Sequence, residues 1–485
     1  MKGRNLFVKQ PISAEGTGDG KNGLKRHLGS TQLTSIGIGA IIGAGIFVIT
    51  GQAAANYAGP AVLLSFIVAA IICVFAGLCY AELAAMIPIS GGAYSYSYVA
   101  LGELPAWMIG WSSIVQYMAA ASAVAIGWSG YFVSLLKDFG IYFSSAFTNA
   151  PVVYNAEIGW YLSGAYFNLP AAFLILVISI LISVGIKAAT TLNNIMVAVK
   201  LITIFLFIIF GAFYINSSNW IPFIPENTGT FGEFGWSGIL RAAGLLFFAY
   251  NGFDTVATLA QETVNPQKNM PRGILGSLGV STVAYIAMVL VLTGVASYSL
   301  LNVADPISVA LNIMGPNFIW FATIVKFAIL AALTSVVLAV LLAQTRVFFT
   351  MSKDGLLPER LSHVHPKFRT PTTSTAIIAV GAIIIAGLFP VDMLGQLVSL
   401  AVLIVFAIMC FGVLILRYTQ PNAIRPFKVP LMPYIPLLGI ACCLGQTLFL
   451  PLTTWAQFFV WMLIGLFVYF KFGLKHSHLR RKAKM

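Results

Sequence analysis

Charge is what this sequence has least of. Asp, Glu, Lys and Arg make up 8% of its 485 residues, against about 25% in soluble chains. So few charges cannot cover a water-facing surface of ordinary size, which excludes a soluble multidomain protein. Acidic residues are the scarcest, 14 against 27 Lys and Arg, and there are only 5 His. No Ser/His/Asp grouping, HExxH or phosphate-binding loop occurs, so the residues support neither membrane proteolysis nor ATP-driven transport, and no enzyme or cofactor is expected. The five cysteines (Cys73, Cys79, Cys410, Cys442, Cys443) all fall inside apolar runs. An odd number in such places reads as small packing residues, not a disulfide frame or metal site. His363 and His365, like His476 and His478, form HxH pairs in basic stretches. No Cys or carboxylate completes a zinc set, so no metal is expected. The stretch before the first apolar run lacks an apolar h-region, and no cleavable signal peptide is expected.

What is present is apolar. Hydrophobic residues make up 59% of the chain, and mean hydropathy is +0.91. Runs of about 20 apolar residues recur, which indicates an all-α polytopic protein of about twelve transmembrane helices, solvated by the lipid bilayer. They lie near 31–55, 61–87, 106–136, 169–186, 193–215, 236–260, 273–297, 318–349, 373–390, 393–416, 434–452 and 455–473.

The net charge of +13 would suggest nucleic acid in a soluble protein. Here Lys and Arg cluster before the first run (Lys2, Arg4, Lys9, Lys21, Lys25, Arg26) and after the last (Lys471, Lys475, Arg480, Arg481, Lys482, Lys484), with no aromatic interleaving. Counting the loops as well, all but Lys137, Arg241, Lys200 and Lys326 fall on the side of the two ends. That bias predicts cytoplasmic termini facing an anionic leaflet and excludes nucleic acid as the partner.

Two runs contain residues a simple lipid-facing helix would not choose. Span 1 holds GIGAIIGAGIF (Gly37 to Phe47), and span 6 holds FFAYNGFD (Phe247 to Asp254), with Asn251, Gly252 and Asp254 near mid-depth. Matching breaks in oppositely directed spans point to an inverted-repeat transporter with its site at the midplane. Gly39 and Gly43 also form GxxxG, for which close helix packing is an equal reading taken alone. The dinucleotide fingerprint is missed, since Ile42 stands where its third glycine belongs and no strand precedes it.

Ionisable groups inside a bilayer cost about 2.5–3.5 kcal/mol at a helix centre. Glu82 and Arg241 sit at span ends and are expected to reach the interface, and Lys326 to snorkel outward. Lys200 lies deep in span 5 with no carboxylate near it in sequence. Asp254 is the other deep charge, readable as a helix cap beside Gly252 or as a functional group.

At several separate motifs the chain resembles the amino acid–polyamine–organocation superfamily, and within it the cationic amino acid transporter branch. These are GIGAIIGAGIFVITG, YAELAAMIPISGGAYSY, GWSSIVQYMAAASAVAIGWSGY, FFAYNGFDTVATLAQETVNPQKNMPRGI, QTRVFFTMSKDGLLP and RPFKVP, spread over residues 24–430. The resemblance implies the leucine-transporter fold. Its five-helix repeats would occupy 31–217 and, inverted, 218–417, with two further helices in 418–473 and cytoplasmic tails at 1–30 and 474–485. It implies that the Ala44 and Gly45 amides, with Gly43 beside them, receive a substrate carboxylate. It likewise implies that the carbonyls of Ile41, Phe248, Ala249 and Asn251 receive the amine, and that Phe248 is a lid. Lys200 matches the family's span 5 lysine, in the place of a sodium ion of sodium-coupled relatives, with Thr334 and Ser335 expected to face it. In span 3, where cationic transporters typically carry Glu, this chain reads Val115-Gln116-Tyr117. An uncharged Gln116 argues against preference for arginine or lysine.

The expected function is therefore proton-coupled amino acid symport by alternating access, in a bacterial-type cytoplasmic membrane, with Lys200 and Asp254 as candidate proton-coupling groups. An exchanger coupling no proton shares every substrate residue. A sensor on the same fold is a further alternative, whereas the aromatic at 248 argues against a channel. The sequence leaves open whether an accessory subunit exists.

Overall fold

A computed structural model describes residues 7–10, 28–87, 91–155, 159–184, 187–366, 368 and 370–482. Lys2, Arg4, Lys21, Lys25, Arg26, Lys367, Arg369 and Lys484, together with the Pro88–Ser90 part of the second motif, lie outside the described residues.

Each expected apolar run is met by helix. Span 1 begins as Ser30–Ile41, breaks at residues 42–44, and resumes at Gly45 through two π-helical turns, Gly45–Ile49 and Ala54–Ala58. A turn at Gly59 and Pro60 leads into span 2, Val62–Met86. Spans 3 to 5 are Glu103–Asp138, Leu169–Val184 and Lys187–Ala212. Span 6 is split into Gly235–Tyr250 and Phe253–Ala257. Spans 7 to 10 are Pro266–Val295, Ile319–Lys353, Thr372–Leu388 and Val391–Thr419. Spans 11 and 12 are Tyr434–Thr447 and Leu452–Val468.

Among the described residues, seven helical stretches are long and apolar enough to cross a membrane, the first, Ser30–Met86, containing spans 1 and 2. Spans 4, 9 and 11 are shorter apolar helices. Span 6 is cut by its own break, as a run containing Asn-Gly-Phe-Asp should be. The protein is an all-α polytopic membrane protein. Small residues bring the helices together: a Cβ at Gly110 would stand 2.7 Å from Met351 Sδ, and one at Gly127 would stand 2.7 Å from Val48.

Three elements were not expected from the apolar runs. One is a β-hairpin between spans 3 and 4, pairing Val152–Asn155 with Gly159–Leu162 antiparallel. The others are the short helices Gly92–Ala100, ahead of span 3, and Pro306–Ile313, ahead of span 8. Residues 7–10 and the C-terminal segment both meet the turn before span 3, at Tyr98 and Glu103. This face is called the tail side here, and the opposite face the hairpin side.

Candidate functional site

The two breaks lie against each other. Ile42, after the first half of span 1, is extended at φ −74°, ψ 102°. In span 6, Asn251 is extended and Gly252 takes φ +139°, a conformation that glycine adopts at little cost. A Cβ at Gly252 would stand 2.7 Å from the Ala40 carbonyl carbon, and one at Gly45 would collide with Ala249. Both glycines are therefore needed for backbone to meet backbone.

Interrupting a helix frees polar groups. The half ending at Ile41 leaves its last carbonyls without intrahelical donors, and the half starting at Gly45 leaves its first amides without intrahelical acceptors. Carbonyl ends attract cations and amide ends attract anions. The buried Lys200 Nζ donates to Gly39 O at 2.8 Å and Ile42 O at 3.0 Å, which places its ammonium on the freed carbonyls. Thr334 and Ser335 donate within their own helix, to Leu330 O and Ala332 O, both at 2.7 Å. The ammonium is thus tied to span 1, and the two hydroxyls spend their protons on span 8.

The Ile41 and Ala249 carbonyls, expected to receive a substrate amine, both accept from the Tyr285 hydroxyl of span 7, each at 2.8 Å. Tyr285 is buried and bridges the two broken spans. A single tyrosine in an apolar run carries no sequence signal for this role beyond its mid-span position.

The side chains of Gln116, Asn251 and Asp254 converge. Gln116 Nε2 donates to Asn251 Oδ1 at 2.9 Å and reaches Asp254 Oδ2 at 3.4 Å, where the Tyr117 hydroxyl also donates at 3.3 Å. All four are buried. Asp254 Oδ1 has no hydrogen-bond partner among the described residues. Asp254 therefore makes side-chain contacts across to span 3, more than a helix cap would. Phe248 is buried one turn before the break, and Gly43 faces Val336 of span 8.

Two other charges, Lys326 and Glu82, depart from expectation. Lys326 is buried and paired with Asp138 at 2.6 Å, so it does not snorkel freely. Glu82 is buried rather than at the interface. It pairs with the Arg417 Nε and Nη2 at 2.9 and 2.7 Å and accepts the Val429 amide at 2.7 Å. The loop after span 10 covers it, which no local pattern reveals. Arg241 lies over the Tyr57 ring at 4.7 Å and is half-buried.

On the hairpin side a cavity of about 1010 Å³ opens between spans 3 and 8, lined by Ser134, Asp138, Asp305, Ser308, Lys326 and Pro390 among others. On the tail side the ends of the broken spans are tied. Leu28 N donates to Glu262 O at 3.1 Å, Val264 N to Leu28 O at 2.9 Å, and Arg346 pairs with Glu262 at 3.3 Å.

Residues 28–473 match the family model described as amino acid permease. The chain is 44% identical to the methylthioribose transporter of Bacillus subtilis, over 98% of this chain and all of that one. It is also 44% identical to the branched-chain amino acid permease BcaP of the same species, over 99% of this chain and all of that one. Cationic amino acid transporter 4 of Homo sapiens is 33% identical, over 82% of this chain and 61% of its own length. The chain is thus a transporter rather than an enzyme, and it belongs to the amino acid permease family of the amino acid–polyamine–organocation superfamily.

Proposed function

We propose that the protein carries neutral amino acids by alternating access, coupled to protons, with the substrate held between the breaks of spans 1 and 6. The observation that carries this reading is the contact between the breaks of two membrane-spanning helices, with Lys200 anchored on the freed carbonyls of one of them. The amides from Gly43 to Gly45 would receive the carboxylate. The amine would take the carbonyls of Ile41 and Ala249, displacing the Tyr285 hydroxyl, with Phe248 and Asn251 contributing theirs. Residues 31–217 and 218–417 act as the two inverted repeats, with 418–473 outside them. Both tails face the cytoplasm of a bacterial-type cell, following the Lys and Arg bias.

Side-chain preference follows from Gln116. A second positive charge buried near this site requires a carboxylate. The nearest, Asp254, already accepts from Gln116 and Tyr117. One relative at 44% identity is named for branched-chain amino acids, which agrees with a neutral substrate. The other is named for methylthioribose, so that compound belongs in the test. In competition for uptake into proteoliposomes, leucine, isoleucine and valine should displace label at concentrations at least about tenfold below those of arginine or lysine, about 1.4 kcal/mol. Arginine binding tightest, or methylthioribose competing while no amino acid does, would refute the assignment.

Phe248→Ala should weaken or uncouple transport while the protein still folds, because a bulky aromatic at the break can seal the site during the switch. Unaltered rate and affinity in that variant would move the lid elsewhere.

A further inference from the structure

The short helix Gly92–Ala100 on the tail side carries three buried tyrosines, and each reaches a different part of the molecule. The Tyr94 hydroxyl donates to Asp354 at the end of span 8 at 2.7 Å. The Tyr96 hydroxyl donates to Ala257 O, in the second half of span 6, at 3.2 Å. The Tyr98 hydroxyl donates to Glu103 at 3.0 Å. This helix therefore joins the half-helix beyond the span 6 break to the scaffold around Glu103 and Asp354.

The chain's C-terminal segment closes over the same scaffold. Glu103 is fully buried and accepts from Tyr98, Tyr469, Ser477 and Arg480. Three of those four donors, Tyr469, Ser477 and Arg480, come from residues after span 12, and among the described residues Arg480 is the one cation paired with this carboxylate. A buried carboxylate without a cation is strongly unfavourable, so Arg480 holds the segment in place. His478 N donates to Asp354 O at 3.0 Å, which fixes the segment to the end of span 8 as well. From the other end of the chain, Gln10 N donates to Tyr98 O at 3.3 Å and Glu103 N to Val8 O at 3.1 Å.

We propose that Ser477–Arg480 is an autoinhibitory strap that holds the tail side shut through the tyrosine helix, slowing its opening. It rests on the alternating-access reading above. For the tail side to open, the second half of span 6 must leave Tyr96, and Glu262 just beyond it must leave Arg346. The strap stiffens the helix that carries Tyr96, so releasing Glu103 from Arg480 frees that movement.

The test uses the full chain in proteoliposomes with Thr258→Cys as reporter, a buried position immediately after the second half of span 6. The native cysteines are buried or half-buried, and the parent without the reporter supplies the background for a membrane-impermeant thiol reagent applied from the tail side. R480A should raise the labelling rate of the reporter, and the rate of substrate exchange, by roughly five- to thirtyfold. R480K should stay near the parent. If R480A does not insert as folded protein, S477A carries the same readout with a smaller increase. Unchanged labelling in a folded R480A or S477A protein that still transports overturns the strap and leaves the transport reading intact. A parent that neither transports nor labels with any substrate tried overturns both.

Discussion

Gly45→Val should abolish substrate binding, with a loss of at least about 100-fold in affinity, while the protein still inserts. A misplacement of roughly 1 Å at a binding constellation costs on the order of 100-fold in function. A valine here offers no smaller change, because even its Cβ would collide with the Ala249 backbone. The two breaks would have to separate, moving the amides of the restarting helix away from the carbonyls of span 6. Overpacking of this kind costs about 1–3 kcal/mol, which a chain of this size tolerates, so loss of binding should be separable from loss of fold. Calorimetric titration of the purified variant measures it, and parent-like affinity would remove the substrate from the span 1 break.

The second large effect is expected at Lys200. Its ammonium bonds Gly39 O and Ile42 O, so its protonation state acts directly on the broken end of span 1. Protonated, it donates to both carbonyls and holds spans 1 and 5 together. Neutral, it keeps fewer donors and no charge, and the attachment loosens. Proton binding thereby favours one arrangement of the spans over another, which is what coupling requires. Lys200→Ala should remove pH-driven accumulation altogether while counterflow of labelled substrate persists. The alternative is a permanently charged clamp, whose removal leaves two buried carbonyls without donors at about 1–3 kcal/mol each. Failure of the variant to fold would favour the clamp.

Much of the site was legible because polar groups are conspicuous in an apolar run. Four glycines between Gly37 and Phe47 of span 1, Asn-Gly-Phe-Asp in span 6 and a lone lysine in span 5 each break a pattern that lipid enforces, and the structure brings these segments together. What stayed hidden depends on partners distant in sequence. Tyr285 looks like any tyrosine in a span until the two carbonyls it bridges are known. Glu82 and Arg417 lie 335 residues apart, so neither could be assigned to the other. Thr334 and Ser335 donate back to their own helix, as hydroxyls in helices commonly do, which leaves their oxygens as acceptors.

The most direct measurement of proton coupling is uptake of labelled leucine into proteoliposomes of the purified protein, with and without an imposed pH gradient. Acid outside and neutral inside should drive leucine above its external concentration, and a protonophore should abolish the accumulation. Equal uptake with and without the gradient, rising only when the vesicles are preloaded with unlabelled amino acid, would contradict proton symport and make the protein an exchanger.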